Sequence, residues 1–192
     1  MGRKKEEIEQ KQFGAEVHLQ RFVLSRNSSD LLKNFKCGNE AIDEFFQNEA
    51  AEDETRVTYV YINEDNGDIV ACVTIECSAI YFESKGGRSL SDYISAIEIV
   101  FFAIDEKYQH LRMSKASKFT LSDCIMRNVL MMLKDISQKT VGAAKVVLYS
   151  VPDAVSFYLR NNFYFFEENM LISHWEFLKG CYPMHYDLNY TA

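Results

Sequence analysis

The sequence of 192 residues predicts a fold of the α/β (α+β) class. The almost wholly apolar run Ile97–Ile104 is too short for a self-sufficient helix and rich in Val, Ile and Phe, so it predicts a strand buried on both faces. A polar loop follows at 105–117, and apolar residues then recur at helical spacing from Leu121 to Ile136. The short apolar run Lys145–Tyr149 predicts a further buried strand. Strands and helices therefore alternate in the central part of the chain.

Additional strands are predicted before this central part. His18–Leu24 alternates between apolar and polar residues, as in a half-buried strand. The runs Val57–Ile62 and Ile69–Ile75 flank a polar loop with an Asn-Gly pair at 66–67, which predicts a β-hairpin. We expect its second strand to continue to about Phe82.

Shorter helices are predicted on either side. Ser28 and Ser29 offer an N-cap for a helix that begins before Leu31. Pro152 suits the first turn of another helix. That helix ends at the Asn-Asn pair 161–162, because Asn adopts the left-handed conformation that terminates helices.

Composition limits the possible classes of protein. We expect a single domain over residues 17–192, preceded by a charged N-terminal arm at 1–16. The longest apolar runs fall short of the roughly 18 residues of a membrane span, so no membrane association is expected. Five scattered cysteines without a C-x-x-C pair favour reduced thiols and a cytoplasmic location. The net charge of −7 disfavours general nucleic-acid binding and favours a cationic substrate.

The loop between the buried strand and the long helix is a candidate anion site. A strand, a loop and a helix start direct backbone N–H groups towards one point. The loop is rich in basic side chains, namely Lys107, His110, Arg112, Lys115 and Lys118. Cations so close to a helix N-terminus oppose its dipole unless an anion lies between them. An ordinary solvated loop is the alternative interpretation.

Order and spacing in this region carry a resemblance to a known family. The segment consists of Glu98-Ile99-Val100-Phe101-Phe102-Ala103-Ile104, a short spacer, and Gln109-His110-Leu111-Arg112-Met113-Ser114. It resembles the central strand and the Q/R-x-x-G-x-G/A loop of the GNAT superfamily of acetyl-CoA-dependent N-acetyltransferases. Over the strand, the histone-acetyltransferase branch matches best. The resemblance implies a mixed central sheet of about six or seven strands, flanked by about four helices.

The same resemblance implies where acetyl-CoA binds. Pantetheine would lie along the splayed central strand, and loop amides would wrap the pyrophosphate. The implied cofactor-binding residues are Phe102, Ala103, Ile104, Gln109, His110, Leu111, Arg112, Met113, Ser114 and Lys115. Both small positions of the loop motif differ, because Arg112 replaces Gly and Ser114 replaces Gly or Ala. Arg112 either supplies a charge-assisted contact in place of lost amide contacts or marks a degenerate site.

Two further motifs extend the resemblance to about residues 18–188. The stretch from Phe35 to Phe46, FKCGNEAIDEFF, is similar to the F-x-C-G-N signature of a GNAT branch that includes toxins acetylating aminoacyl-tRNA. Cys37 within it is expected to be a structural thiol. The run 154–163 resembles A-x-x-(L/F)-Y-x-x-x-G-F with Asn162 in place of Gly, and Val151 occupies a position where the family often has Asn.

Two residues are implied as catalytic. Glu98 occupies the position of the catalytic glutamate of the histone-acetyltransferase branch, and burial on a strand would raise the pKa of its carboxyl towards that of a general base. A structural carboxylate is the alternative. Tyr158 matches the tyrosine that protonates or hydrogen-bonds the departing thiolate, whereas a core aromatic residue is its alternative.

Two classes of function remain. The first is a cytoplasmic, toxin-like N-acetyltransferase that uses acetyl-CoA to modify a primary amine of a small molecule, peptide or aminoacyl-tRNA. The second is a GNAT-fold module with lost or weakened CoA binding that acts through protein association. Partners are therefore acetyl-CoA and an amine acceptor; a homodimer is left open, and net charge counts against tRNA. No metal is expected, since the four histidines show no ligand spacing.

Overall fold

The computed structural model describes residues 18–82, 93–112, 117–171 and 180–189. The predicted arm at 1–16 lies outside these ranges. By internal contacts the chain divides into two compact units, made of 1–74 with 101–126 and of 75–100 with 127–192. We call them unit 1 and unit 2 and describe each separately.

The described residues form eight strands and three α-helices, with short 3-10 and π-helical turns between them. The strands are β1 (Leu19–Val23), β2 (Val57–Asn63), β3 (Ile69–Phe82), β4 (Tyr93–Ile104), β5 (Lys145–Ser150), β6 (Tyr164–Phe165), β7 (Met170–Leu171) and β8 (Tyr182–Asp187). The α-helices are α1 (Glu40–Asn48), α2 (Leu121–Ile136) and α3 (Val155–Arg160). The turns are the 3-10 helices Arg26–Leu32 and Pro152–Ala154 and the π-helical Ser137–Val141.

The strands hydrogen-bond in the order β1-β2-β3-β4-β5-β8-β6, and β7 pairs with the end of β3. The β4–β5 pair is parallel, whereas β1–β2, β5–β8, β6–β8 and β3–β7 are antiparallel. The predicted mixed sheet is therefore confirmed. The predicted hairpin is also confirmed, with β3 continuing to Phe82 as expected.

Unit 1 has an aromatic core. Phe46 is in edge-to-face contact with Phe35 at 5.5 Å and with Phe45 at 5.3 Å between ring centroids, an arrangement that adds electrostatic attraction to area burial. These rings join Leu32 of the first 3-10 helix and Ala103 of β4 in one buried cluster. Helix α1 thus packs Phe45 and Phe46 into this core.

Helix α2 has the predicted bounds. Leu121, Ile125, Val129 and Leu133 are buried along one face, as the periodicity indicated. None of the helices in the described ranges is long and apolar enough to cross a membrane. The helix predicted to begin after Ser28 and Ser29 was placed wrongly at its start: it is a 3-10 helix that begins at Arg26. Its cap is Ser25, whose backbone N–H donates to Ser28 Oγ at 2.9 Å.

Unit 2 is built on strand β5. All six residues of β5 are registered with β8, from Lys145 opposite Asp187 to Ser150 opposite Tyr182. On the face that carries Val147, a small apolar cluster also includes Ile80 and Ala96. Lys145 is buried and forms an ion pair with Asp187 at 3.0 Å, which offsets the cost of burying its ammonium group.

His185 of β8 is a buried polar residue in this unit. It lies opposite Val147, and its ring is 6.1 Å from the Tyr164 ring and 6.0 Å from the Phe166 ring. Its Nδ1 has no hydrogen-bond partner among the described residues. Burial, reinforced by the charge of Lys145, lowers the pKa of His185, although Asp187 and Glu167 act in the opposite sense. The imidazole is therefore held neutral in the folded protein.

The free energy of unfolding is expected to fall as the pH drops below about 6.5, the pKa of an unperturbed histidine. The unfolded chain then binds a proton at His185 that the folded chain accepts only at lower pH, so stability is lost as the pH falls through the folded pKa. Urea denaturation of wild type and His185→Phe between pH 7.5 and 5 measures this slope. We expect a shallower slope in the variant; parallel slopes would contradict this assignment.

Candidate functional site

The pairing of β4 with β5 is short. Their parallel register consists of Ala96 with Lys145, Ile97 with Val146 and Glu98 with Val147. Beyond this point β4 continues to Ile104 and β5 to Ser150, but the two strands are no longer registered. Within unit 2, the ladder thus ends at the residue predicted to be catalytic.

Glu98 is held by a neighbouring strand. Its carboxylate is buried, with 7 % of the residue exposed, and Glu98 Oε2 accepts a hydrogen bond from Ser78 Oγ at 3.0 Å. A hydroxyl donor stabilises the ionised carboxylate and sets the orientation of its oxygens. This arrangement agrees with a base on β4, and equally with a structural carboxylate.

Tyr158 lies in helix α3, two turns after Pro152. Its ring is in edge-to-face contact with Phe157 at 5.1 Å and with Phe163 at 5.5 Å. Burial raises the pKa of its hydroxyl, so the phenol stays protonated throughout the neutral range. No described residue hydrogen-bonds this hydroxyl. The side chain is therefore a buried proton donor, which is also what a core tyrosine would be.

The F-x-C-G-N segment in unit 1 is a compact capping structure. Asn39 Oδ1 caps helix α1 by accepting from the Ile42 N–H at 3.3 Å, and Asp43 Oδ1 accepts from the Cys37 N–H at 2.7 Å. Gly38 has a φ of +88°, a left-handed conformation that favours glycine. The signature therefore encodes one turn and one helix start.

Cys37 is not poised for nucleophilic chemistry. Burial, followed by the Asp43 carboxylate, raises the pKa of its thiol to about 12. A thiol with so high a pKa carries almost no thiolate at neutral pH. This supports the interpretation of Cys37 as a structural residue.

Gln109, predicted to bind the cofactor, joins the signature to the end of β4. Its side-chain Nε2 donates to the Cys37 carbonyl at 2.8 Å and to the Ile104 carbonyl at 2.9 Å. Two backbone bonds reinforce this junction: the Glu106 N–H donates to the Lys36 carbonyl at 2.8 Å, and the Asp105 N–H to the Val70 carbonyl at 2.9 Å. Both N–H groups of the Gln109 amide are thus engaged by backbone oxygens.

Six of the other residues predicted to bind the cofactor lie within the described ranges. Ala103 and Ile104 are buried at the end of β4 and Phe102 is half-buried. His110 is exposed with a φ of +59°, Leu111 is half-buried and Arg112 is exposed. Met113, Ser114 and Lys115 lie outside the described residues.

The start of helix α2 is capped by the protein itself. The Leu121 N–H donates to the Leu111 carbonyl at 2.7 Å, and Arg112 forms an isolated β-bridge with Thr120. Thr120 Oγ1 accepts from the Asp123 N–H at 3.3 Å, while Asp123 Oδ2 accepts from the Thr120 N–H at 2.8 Å. This reciprocal pair is a capping box, and its buried carboxylate already supplies a negative charge at the helix N-terminus.

Sequence reasoning missed Tyr149 of β5. It is half-buried, and burial, followed by the charges of Glu98 and Glu76, raises the pKa of its hydroxyl. Tyr149 follows Val147 by two residues, which places its side chain on the face of Glu98. The period of two related Tyr149 to Val147 in the sequence, but the register of Val147 with Glu98 was not readable there. Among the described residues, no group of His, Cys, Asp and Glu could hold a metal ion.

Solved structures share this fold over most of their length. A bacterial toxin matches with a TM-score of 0.68 and 18% identity, covering 90% of this chain and 92% of the other. AtaTR bound with acetyl-CoA matches with a TM-score of 0.62 and 14% identity, covering 88% of this chain and 93% of the other. AtaT complexed with acetyl-methionyl-tRNAfMet matches with a TM-score of 0.62 and 16% identity, covering 86% of this chain and 94% of the other. No protein-family model and no curated protein sequence matches the chain. The chain therefore has the GNAT fold of these toxins.

Gln109→Ala is expected to destabilise the protein by about 1–3 kcal/mol, because two partly buried carbonyl groups lose their donor. Gln47→Ala is a matched control, since Gln47 donates one such bond, to the Phe35 carbonyl at 2.8 Å. Chemical denaturation measures both losses. If Gln109→Ala lowers the free energy of unfolding by no more than Gln47→Ala does, the two hydrogen bonds of Gln109 do not stabilise the fold as proposed.

Proposed function

We propose, starting from the GNAT fold of this chain, that it is an acetyl-CoA-dependent N-acetyltransferase (an acyltransferase of class EC 2.3.1). It would transfer the acetyl group to a primary amine of a small molecule, a peptide or an aminoacyl-tRNA. The observation that carries this proposal is the end of the β4–β5 ladder after Glu98 and Val147. In the resembling family the corresponding strands part to admit the pantetheine arm.

The chemistry is divided between two residues of unit 2. Glu98 accepts the proton that the amine loses, directly or through water, as its nitrogen attacks the thioester carbonyl. A C–N bond forms and the C–S bond breaks. Tyr158 donates a hydrogen bond or its proton to the departing thiolate. Because burial raises the pKa of the Tyr158 hydroxyl, full proton transfer is uphill and a hydrogen bond is the favoured contribution.

Acetyl-CoA itself is assigned to the residues named by the resemblance, which are Phe102, Ala103 and Ile104 together with the loop 109–115. Exposed Arg112 supplies a cationic group there, and exposed His110 supplies a hydrogen-bonding ring nitrogen. The amide of Gln109, in contrast, serves the fold, because both of its N–H groups are already engaged.

The likeness to AtaT complexed with acetyl-methionyl-tRNAfMet supports aminoacyl-tRNA as one acceptor class. The net charge of −7 opposes it, since a polyanionic partner requires a locally basic face. An antitoxin is a further candidate partner, because AtaT also matches in a complex with the C-terminus of AtaR.

A second candidate function rests on the start of helix α2. The capping box of Thr120 and Asp123 and the bond from Leu121 to Leu111 use donors that a pyrophosphate would otherwise receive. Together with Arg112 in place of glycine, this favours weakened CoA binding. The alternative is a GNAT-fold module that acts through protein association.

Isothermal calorimetry with acetyl-CoA separates the two functions. We expect saturable binding, and at a ligand concentration of 100 times Kd a stabilisation of about 2.7 kcal/mol in thermal unfolding. Arg112→Ala is expected to weaken binding about tenfold if its guanidinium contacts the pyrophosphate. Arg112→Gly would instead strengthen binding if the side chain obstructs the loop. If saturating acetyl-CoA produces neither binding heat nor a thermal shift, the non-catalytic module is favoured.

Tyr158→Phe is expected to lower kcat about a hundredfold or more while leaving the Kd for acetyl-CoA within about twofold, because the hydroxyl acts on the leaving group and not on the bound ground state. The measurement is thiol release alongside calorimetry. Tyr164→Phe is the control, since Tyr164 is 61 % exposed. Parallel losses of kcat and affinity in Tyr158→Phe would remove the leaving-group role.

A further inference from the structure

Within unit 2, the parts of three adjacent strands present polar side chains on one face. Strands β3, β4 and β5 are neighbours in the sheet, and side chains two residues apart on a strand share a face. Ser78 of β3 bonds to Glu98 of β4, which fixes the face of both. Glu76 shares this face through Ser78, and Tyr149 shares it through Val147, the registered partner of Glu98.

Tyr149 stands at the first position on this face beyond the end of the ladder. Were the register to continue, Tyr149 of β5 would pair with Val100 of β4, but registered pairing stops at Glu98. On its other side Tyr149 keeps its register with Pro183 of β8. The backbone of Tyr149 is thus held by β8 and has no registered partner on β4.

The surroundings of the Tyr149 hydroxyl are acidic. Glu98 and Glu76 both lie close enough for their charges to raise the pKa of this hydroxyl, in addition to the effect of burial. The phenol is therefore neutral over the working range and both donates and accepts hydrogen bonds. No described residue forms a hydrogen bond with it. Two carboxylates and a phenol oxygen together offer acceptors for a group that carries several N–H donors and a positive charge.

We propose that Tyr149 positions the acceptor amine, together with Glu98 and Glu76, and that the acceptor arrives at this face as a primary ammonium ion. This inference rests on the proposed function. The ammonium group has three donors, which match the phenol oxygen and the two carboxylates. Glu98, oriented by Ser78, removes the proton that must leave before the nitrogen attacks and passes it to solvent. The same carboxylate then accepts the second proton, which the nitrogen loses as the C–N bond forms. Tyr149 is a positioning residue: it sets the affinity for the amine and leaves acetyl-CoA binding untouched.

The test compares wild type with Tyr149→Phe and Tyr186→Phe. Tyr186 is registered with Val146, so its side chain lies on the opposite face and it is a matched control. The probes are glycinamide and spermidine as cationic amines, and N-acetylglycinamide as a neutral match. Binding is followed by chemical-shift titration of 15N-labelled protein in the presence of CoA, which requires no turnover.

We expect both cationic probes to bind saturably to wild type and about tenfold more weakly to Tyr149→Phe, the loss of one hydrogen bond to a charged group. Tyr186→Phe should match wild type, and N-acetylglycinamide should not distinguish the three proteins. In turnover assays, Tyr149→Phe should raise KM for the amine with little change in kcat. Equal amine affinity in wild type and Tyr149→Phe, or no saturable shift with either cation, overturns the proposal.

The outcome is distinguishable from a failure of the proposed function. Acetyl-CoA binding is measured separately by calorimetry in all three proteins, and we expect Kd values within about twofold of one another. Absence of acetyl-CoA binding would remove the N-acetyltransferase proposal. Normal acetyl-CoA binding with unchanged amine affinity in Tyr149→Phe would remove only the role of Tyr149.

Discussion

The architecture depends on strand β5, which is fully paired with one neighbouring strand and only partly paired with the other. Strand β5 is registered with β8 over its whole length, yet with β4 over only three residues. Backbone groups in a sheet normally pair, because burial without a partner is costly. The ladder between β4 and β5 stops before either strand ends, so beyond Glu98 and Val147 neither strand is a registered partner of the other. The pairing of β4 with β5 ends at Glu98, a buried residue whose carboxylate accepts a hydrogen bond from Ser78.

A second constraint acts within unit 1. The turn at Cys37 and Gly38 is fixed by Asp43, by Asn39 and by the amide of Gln109, so the signature and the end of β4 form one hydrogen-bonded junction. The phenylalanines of the signature are packed together beneath it. The Cys-Gly-Asn sequence of this stretch is thus explained by backbone geometry and packing, and its cysteine is a protonated, half-buried thiol.

Periodicity predicted the strands and the long helix well, because burial imposes the same spacing on any sequence that forms them. The apolar run before Ile104 became the end of β4, and helix α2 runs over the predicted residues. Hydrogen bonds between distant residues could not be predicted in this way. The hydrogen bond from Gln109 to Cys37 joins residues 72 positions apart, and no local sequence pattern predicts it. The capping box at Thr120 was readable as T-x-x-D, but basic residues in the preceding loop suggested an external anion instead.

The candidate site was predictable only where a motif named its residues. Glu98 and Tyr158 became candidates through resemblance, whereas Tyr149 did not, because a tyrosine in an apolar run is usually a core residue. Its position becomes meaningful only once the register assigns it to the face of Glu98 and the ladder is seen to stop. Strand register is a tertiary property, so sequence spacing alone could not supply it.

The two hydrogen bonds donated by the Gln109 side chain also bear on why the loop motif begins with either glutamine or arginine. Both side chains end in a planar group with at least two N–H donors, so either can bridge two carbonyl oxygens. Lysine offers the same charge as arginine without the planar geometry, and glutamate has no donor. In this chain, two backbone carbonyl groups of the protein itself therefore account for a side chain with paired N–H donors at this position.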